Sequence, residues 1–202
     1  LPYNLLELQA DCSKKFNYKP DITLEITQSL REKHKLITYN RSDCSYLPEN
    51  LFSEAPNTLE SLKSNLASLR SFITQANSSI KSNAWNDEYI TAHHGIIPTS
   101  QKVKIEDLSK DELNVYTLIA IKYIAQFYEA KEYLHTQVEV EMESNSNKYL
   151  FTTSSKRTIK QGFEVLIKDE TVEDDEIKND ESNKKKKKII ENSKTNCKDI
   201  LI

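Results

Sequence analysis

The stretch ITYNRSDCSYLP, residues 37–48, decides the reading of this chain. It sets a phenol, a guanidinium and a carboxylate on alternate positions, Tyr39, Arg41 and Asp43, directly after a short β-prone run. In extended backbone, alternate residues face the same side. One side of this stretch therefore offers three chemically different groups.

Each group has a use if the substrate is a phosphodiester. A tyrosine oxygen can attack phosphorus and split one transfer into two reversible ones. An arginine fork matches phosphate oxygens and steadies the charge that grows on them. Asp43 would orient the arginine or bridge to another domain. Spacing alone also fits plainer readings: Tyr39 as packing in a chain with 10 tyrosines, and Arg41 as an ion-pair partner of Asp43. A second candidate is AHHGIIPT, residues 92–99, where His93 and His94 can hydrogen-bond phosphate or help move a proton. Gly95 permits close backbone approach there. An adjacent histidine pair is more often surface or core, and no third ligand points to a metal.

Outward from this stretch, the lead-in reads as two helices. Residues 4–16 carry a cap at Asn4, with Glu7 three residues on, and a stripe of Leu5, Leu8, Cys12 and Phe16. Residues 21–33 follow Pro20, with Asp21 placed to accept free amide hydrogens and Ile22, Ile26 and Leu30 at four-residue spacing. KLITY then reads as a short strand, the layout of a winged-helix module. Residues 47–56 read as loop, and 58–76 as one amphipathic helix through Leu59, Leu62, Leu66, Leu69 and Ile73. Residues 78–108 are irregular. Ser109 and Glu112 form a capping box for a helix over 112–128 that is apolar almost all round and therefore buried. HTQVEVEM, KYLFTTSS and GFEVLI predict antiparallel strands between about 131 and 168. Acids then cluster from Glu170 to Glu181, and lysines fill 184–188. Blocks of like charge rarely pack, so 170–202 is expected to be a disordered tail. A solvated linker is the plain reading of the lysine run, and contact with DNA phosphates the other.

Composition trims the function classes. The chain has 202 residues, 37% apolar and 29% charged, enough for a real core. Two glycines and no G-x-G-x-x-G or P-loop pattern remove most nucleotide-binding readings. A net charge of −3 limits nucleic-acid contact to local features rather than a basic face. Cys12, Cys44 and Cys197 are far apart, without a C-x-x-C, which fits a reducing cytosol and no zinc site. No apolar run approaches the length of a membrane span, and no signal-peptide pattern is present. The first residue is Leu1, as expected of a processed chain or an internal piece of a longer one.

The residues of 1–49, with SDCSYLP in particular, resemble the active-site segment of type IA DNA topoisomerases, and AHHGIIPT is similar to that family's second signature. SDCSYLP and the double histidine resemble the topoisomerase III branch more than the topoisomerase I branch. The resemblance covers about residues 1–168.

The residue pattern and the resemblance together predict an α+β fold: a helical active-site domain over 1–129 with a winged-helix-like segment, and antiparallel strands of a β-rich arch over 130–169; the charged tail over 170–202 is read from its composition alone. The resemblance implies that Tyr39 is the nucleophile that takes the 5′ phosphate of a cut strand, that Arg41 contacts the scissile phosphate, and that His93 supports the phosphate chemistry. Arg41, Asp43 and His94 are implied as DNA contacts. The implied activity is ATP-independent cleavage and resealing of single-stranded DNA, giving relaxation or decatenation. The implied Mg²⁺ belongs to an N-terminal acidic domain that this stretch lacks, so the chain alone is expected to be inactive. Single-stranded DNA is the expected partner, with other DNA-processing proteins such as a helicase, no membrane, a monomeric state and a cytoplasmic, nucleoid-associated location. The alternatives are a single-stranded DNA-binding module or truncated relic that does not cut, and a winged-helix regulator, for which no recognition helix rich in Arg, Asn or Gln stands out.

Overall fold

The computed structural model describes residues 1–144 and 147–168. The expected charged tail over 170–202, with its lysine run and Cys197, lies outside the described residues. What is described is α+β: helices that build a core, followed by a two-stranded antiparallel hairpin.

Helix α1 (Leu5–Phe16) begins where the Asn4 side chain accepts from the Glu7 N–H at 2.8 Å. It ends at Asn17, whose left-handed φ of 58° turns its N–H back onto the Cys12 and Ser13 carbonyls. Asparagine tolerates that conformation better than most residues. Leu8 and Cys12 are buried, with Leu5 and Phe16 packed at the edge of the same core.

Helix α2 (Pro20–Glu32) starts on its proline, whose missing N–H costs nothing at that position. Its buried face is Thr23, Thr27 and Leu30; of the expected stripe Leu30 is buried, Ile26 packs half-buried against the core, and Ile22 is exposed. Burying two hydroxyls is tolerable because both are satisfied, Thr23 Oγ1 by the Lys19 carbonyl and Thr27 Oγ1 by the Leu24 carbonyl.

The single helix expected over 58–76 is two. A 3-10 turn over Glu49–Glu54 leads into α3 (Ala55–Asn65), and α4 (Arg70–Gln75) follows a second 3-10 turn over Ala67–Leu69. The break comes where Asn65 is recruited elsewhere. Its amide donates to the Gln101 carbonyl at 2.9 Å and its oxygen accepts from the Val103 N–H at 3.0 Å. The apolar stripe survives the break: Leu59, Leu62, Leu66, Leu69 and Ile73 are all buried.

Helix α5 (Lys110–Ile124) carries the reciprocal capping box of Ser109 and Glu112 and is buried on nearly every side. Its C-terminal end joins an aromatic cluster of Trp85, Tyr123, Phe127 and Phe52, whose rings meet at tilted or edge-on angles except for the stacked Phe52–Phe127 pair.

Strands β1 (Glu132–Ser144) and β2 (Asn147–Lys160) pair antiparallel, with Val138 opposite Thr153, Val140 opposite Phe151 and Met142 opposite Tyr149. The period-two pattern places those residues on one face, and that face is exposed. The third strand, expected over GFEVLI, is helical instead: a 3-10 turn at Gly162–Glu164 runs into α6 (Val165–Lys168). The cause is Gly162, at a φ of 53°, which turns the chain so that the Phe163 N–H reaches the Glu129 carbonyl. KLITY also forms no strand. It makes one isolated bridge, Ile37 to Pro98.

Candidate active site

The isolated bridge is what positions Tyr39. After α2, the Lys33 and His34 N–H groups both return to the Ser29 carbonyl, and Lys35 takes a left-handed φ of 59°. The Leu36 N–H then bonds the Leu30 carbonyl at 2.9 Å, so the chain doubles back on its own helix. Residues 36–38 next pair with 97–99, through Thr99 N–H to Leu36 and Thr38 N–H to Ile97, both 2.9 Å.

Thr38 completes the seam with its side chain. The hydroxyl donates to the Gly95 carbonyl at 3.3 Å and accepts from the Ile97 N–H at 3.1 Å. Gly95 in turn donates its N–H to the Tyr46 carbonyl at 2.8 Å. A Cβ at position 95 would stand 3.1 Å from Pro2 Cβ and 3.3 Å from the Ser45 carbonyl carbon, so the tyrosine and histidine stretches approach here as closely as glycine allows.

Beyond Thr38 the backbone is irregular, yet burial alternates as the residue pattern predicts. Asn40, Ser42 and Cys44 are buried; Tyr39 is half-buried; Arg41 and Asp43 are exposed. The inward residues anchor the stretch. Asn40 Nδ2 donates to Thr27 Oγ1 at 3.1 Å, and the Ser42 hydroxyl accepts from the Cys44 N–H at 3.1 Å. The Ser42 carbonyl accepts from the Leu5 N–H at the start of α1.

Two groups meet the Tyr39 ring face. The His93 imidazole lies against it, centroids 4.1 Å apart, and the Arg31 guanidinium carbon stands over it at 4.7 Å. His93 is exposed. His94 is oriented differently: its Nδ1 donates to the Gly95 carbonyl at 2.8 Å. Asp43 accepts from the Thr91 hydroxyl at 3.2 Å, tying the tyrosine stretch to the approach of the histidine stretch. Among the described residues, Arg41 and Asp43 form no ion pair, which leaves the guanidinium open to solvent.

Structure thus brings Tyr39 and His93 into contact and leaves Arg41 exposed two residues on. It adds two residues that spacing did not reveal. Arg31 lies eight residues before Tyr39 and reaches it only because Lys35 reverses the chain. Thr38 carried a weak local signal, a β-branched polar residue beside the tyrosine.

A metal is a separate question. Among the described residues no three His, Cys, Asp or Glu side chains gather into a metal-binding group. The described residues do not fit a bound Mg²⁺.

Residues 1–201 match the family model described as DNA topoisomerase. The chain belongs to the DNA topoisomerase family. It is 40% identical over 166 residues to the protein named DNA topoisomerase 3 from Vibrio cholerae serotype O1, covering 82% of this chain and 25% of that one. It is 33% identical over 181 residues to DNA topoisomerase 3 from Bacillus subtilis, covering 88% of this chain and 24% of that one. These names agree with the topoisomerase III resemblance of SDCSYLP and the double histidine. In fold, 83% of the chain superposes on 26% of the full-length topoisomerase I from Thermotoga maritima, with a TM-score of 0.52 at 21% identity. The chain spans about a quarter of the length of these topoisomerases. No helix among the described residues is long and apolar enough to cross a membrane.

Proposed function

We propose that this chain carries the strand-cutting tyrosine of a type IA topoisomerase III. Tyr39 Oη attacks the phosphorus of a single-stranded DNA phosphodiester. A bond forms between that oxygen and the 5′ phosphate, the bond to the 3′ oxygen breaks, and the phenol's proton leaves as the 3′ oxygen gains one. Resealing is the reverse, with the 3′ hydroxyl attacking the phosphotyrosine. The covalent link conserves the energy of the broken bond, so the cycle needs no ATP.

The observation that carries this reading is the setting of Tyr39: half-buried, held on one ring by His93, and followed two residues later by an exposed arginine with no carboxylate partner among the described residues. Arg41 is assigned to the phosphate oxygens, where a planar fork matches two acceptors at once. His93 supports the same phosphate, and Asp43 holds the stretch in register through Thr91.

The surrounding organisation follows from this reading. Residues 1–129 act as the domain that bears the tyrosine and 130–169 as a strip of a β arch, so that the domain can swing while holding one DNA end. Mg²⁺ and its acidic ligands belong to a part of the protein beyond this stretch. Splayed bases have an aromatic platform available at Tyr46 and Tyr89, stacked 4.6 Å apart with Tyr89 exposed.

The test is capture of a protein linked to a 5′ DNA end on a denaturing gel, using the full-length protein with Mg²⁺ and a single-stranded oligonucleotide. Wild type forms the adduct, and Tyr39→Phe forms none. An adduct in Tyr39→Phe overturns the assignment. A protein that binds the oligonucleotide but forms no adduct even as wild type is the non-cutting module.

A further inference from the structure

We infer that Arg31 is a positioning residue for Tyr39, its guanidinium holding the phenol ring by cation–π contact so that the oxygen is presented to the phosphodiester. This rests on Tyr39 being the nucleophile.

The contact is geometric before it is functional. Arg31 sits on the last turn of α2, and its guanidinium carbon is 4.7 Å from the centre of the Tyr39 ring, inside the roughly 6 Å range over which a cation and an aromatic face attract. A cation at the end of a helix is favourable wherever its side chain points, because it offsets the helix dipole. The dipole therefore explains a basic residue at this place and does not explain its lying over this ring. Competing partners do not hold it elsewhere: among the described residues no carboxylate forms an ion pair with Arg31. The neighbouring Glu32 is engaged instead by the Gln28 amide, at 3.2 and 3.3 Å.

A half-buried phenol swings about two side-chain bonds, and each unproductive orientation lowers the fraction of encounters that react. His93 restricts the ring through one contact at 4.1 Å, and Arg31 supplies the second. The residue type suits the task. A guanidinium is planar and stacks on a ring while its N–H edge stays free, which an ammonium on a flexible stem does less well. Arg41 is then left for the phosphate. Two arginines divide the work, one orienting the nucleophile and one meeting the electrophile.

The experiment uses the full-length protein in three forms, Arg31→Gln, Arg31→Lys and Lys33→Gln, each also prepared with 3-fluorotyrosine placed at position 39 alone. Single-turnover adduct formation and the fluorine resonance are read together. Arg31→Gln is expected to slow adduct formation about threefold to fivefold, equal to about 0.6–1 kcal/mol at 1.36 kcal/mol per tenfold, with DNA affinity unchanged and the fluorine line shifted and altered in width. Arg31→Lys recovers part of both. Lys33→Gln, which removes the same charge two residues on, at the C-cap of α2, leaves both as in wild type. The inference is overturned if Arg31→Gln leaves the fluorine line unmoved, if Lys33→Gln matches its effect, or if the loss is wholly in DNA affinity. The fluorine readout needs no turnover. A failed nucleophile assignment at Tyr39 is therefore distinguishable from a failed role for Arg31.

Discussion

The His93 imidazole and the Tyr39 phenol lie in contact, their centroids 4.1 Å apart and their planes inclined by 38°. His93→Ala frees the ring on that side and removes the imidazole from the phosphate, and is expected to slow adduct formation by about tenfold or more, on the order of 1.4 kcal/mol. His93→Phe separates the two parts of the role. It restores the ring contact and fails to restore any hydrogen bond to phosphate. Full recovery in His93→Phe, measured as single-turnover cleavage, would show that the histidine acts only as a packing surface.

Thr38 joins the two signature stretches with one hydroxyl that donates to Gly95 and accepts from Ile97. Thr38→Val keeps the shape and removes both bonds. It leaves an N–H and a carbonyl less well satisfied, at a cost of about 1–3 kcal/mol. The expected result is a lower melting temperature together with slower cleavage, because the spacing of Tyr39 and His93 depends on this seam. Unchanged cleavage at a lowered melting temperature would make Thr38 purely structural.

Glu112 stands at the junction of α2 and α5. Burial alone would raise its pKa. The Ser29 hydroxyl, Ser109 and the His34 ring outweigh burial and hold the carboxyl down at about 2. A carboxylate depressed in the folded state stabilises the fold fully above its ordinary value of 4.5, and that contribution is lost as pH falls from there through about 2. Glu112→Gln should therefore remove stability at neutral pH, by about 2 kcal/mol for a charge-assisted buried bond, and should flatten the dependence between those two pH values. Acid unfolding followed by circular dichroism, compared between wild type and Glu112→Gln, reads both.

Gly162 turns the chain from the hairpin into α6 with a φ of 53°. An added Cβ would run into the Glu129 and Ala130 carbonyls. Gly162→Ala adds that collision to a left-handed backbone cost of about 1–2 kcal/mol. The expected outcome is destabilisation by more than that backbone cost, seen in urea unfolding. A change under 1 kcal/mol would show that the turn relaxes freely.

Local chemistry made much of this legible from residues alone. Asn4 and the Ser109–Glu112 box mark helix starts because caps act within three residues, and the leucine stripe of α3 and α4 holds across a break. The misreadings come from contacts distant in sequence. The Asn65 side chain, on the last residue of α3, satisfies backbone groups 36 and 38 residues away. KLITY has strand composition but finds only a short partner in 97–99. GFEVLI alternates like a strand, and its leading glycine turns it into a helix. At the site, Tyr39, Arg41 and His93 stood out through their motifs. Arg31 did not, since nothing in an eight-residue separation foretells that a left-handed lysine will fold one onto the other.

The hairpin has one further consequence, for handling the protein. Among the described residues its sheet holds two strands, 13 and 14 residues long, so each has an outer row of backbone donors and acceptors that no third strand takes up. Val140, Met142, Tyr149 and Phe151 sit exposed beside those rows, while Glu139 and Glu143 stand on β1 with Glu141 between them, the last paired with Lys148 of β2. Long open edges beside apolar side chains recruit strands from other molecules. Purified as this stretch alone, the polypeptide should be limited by clumping before it is limited by unfolding.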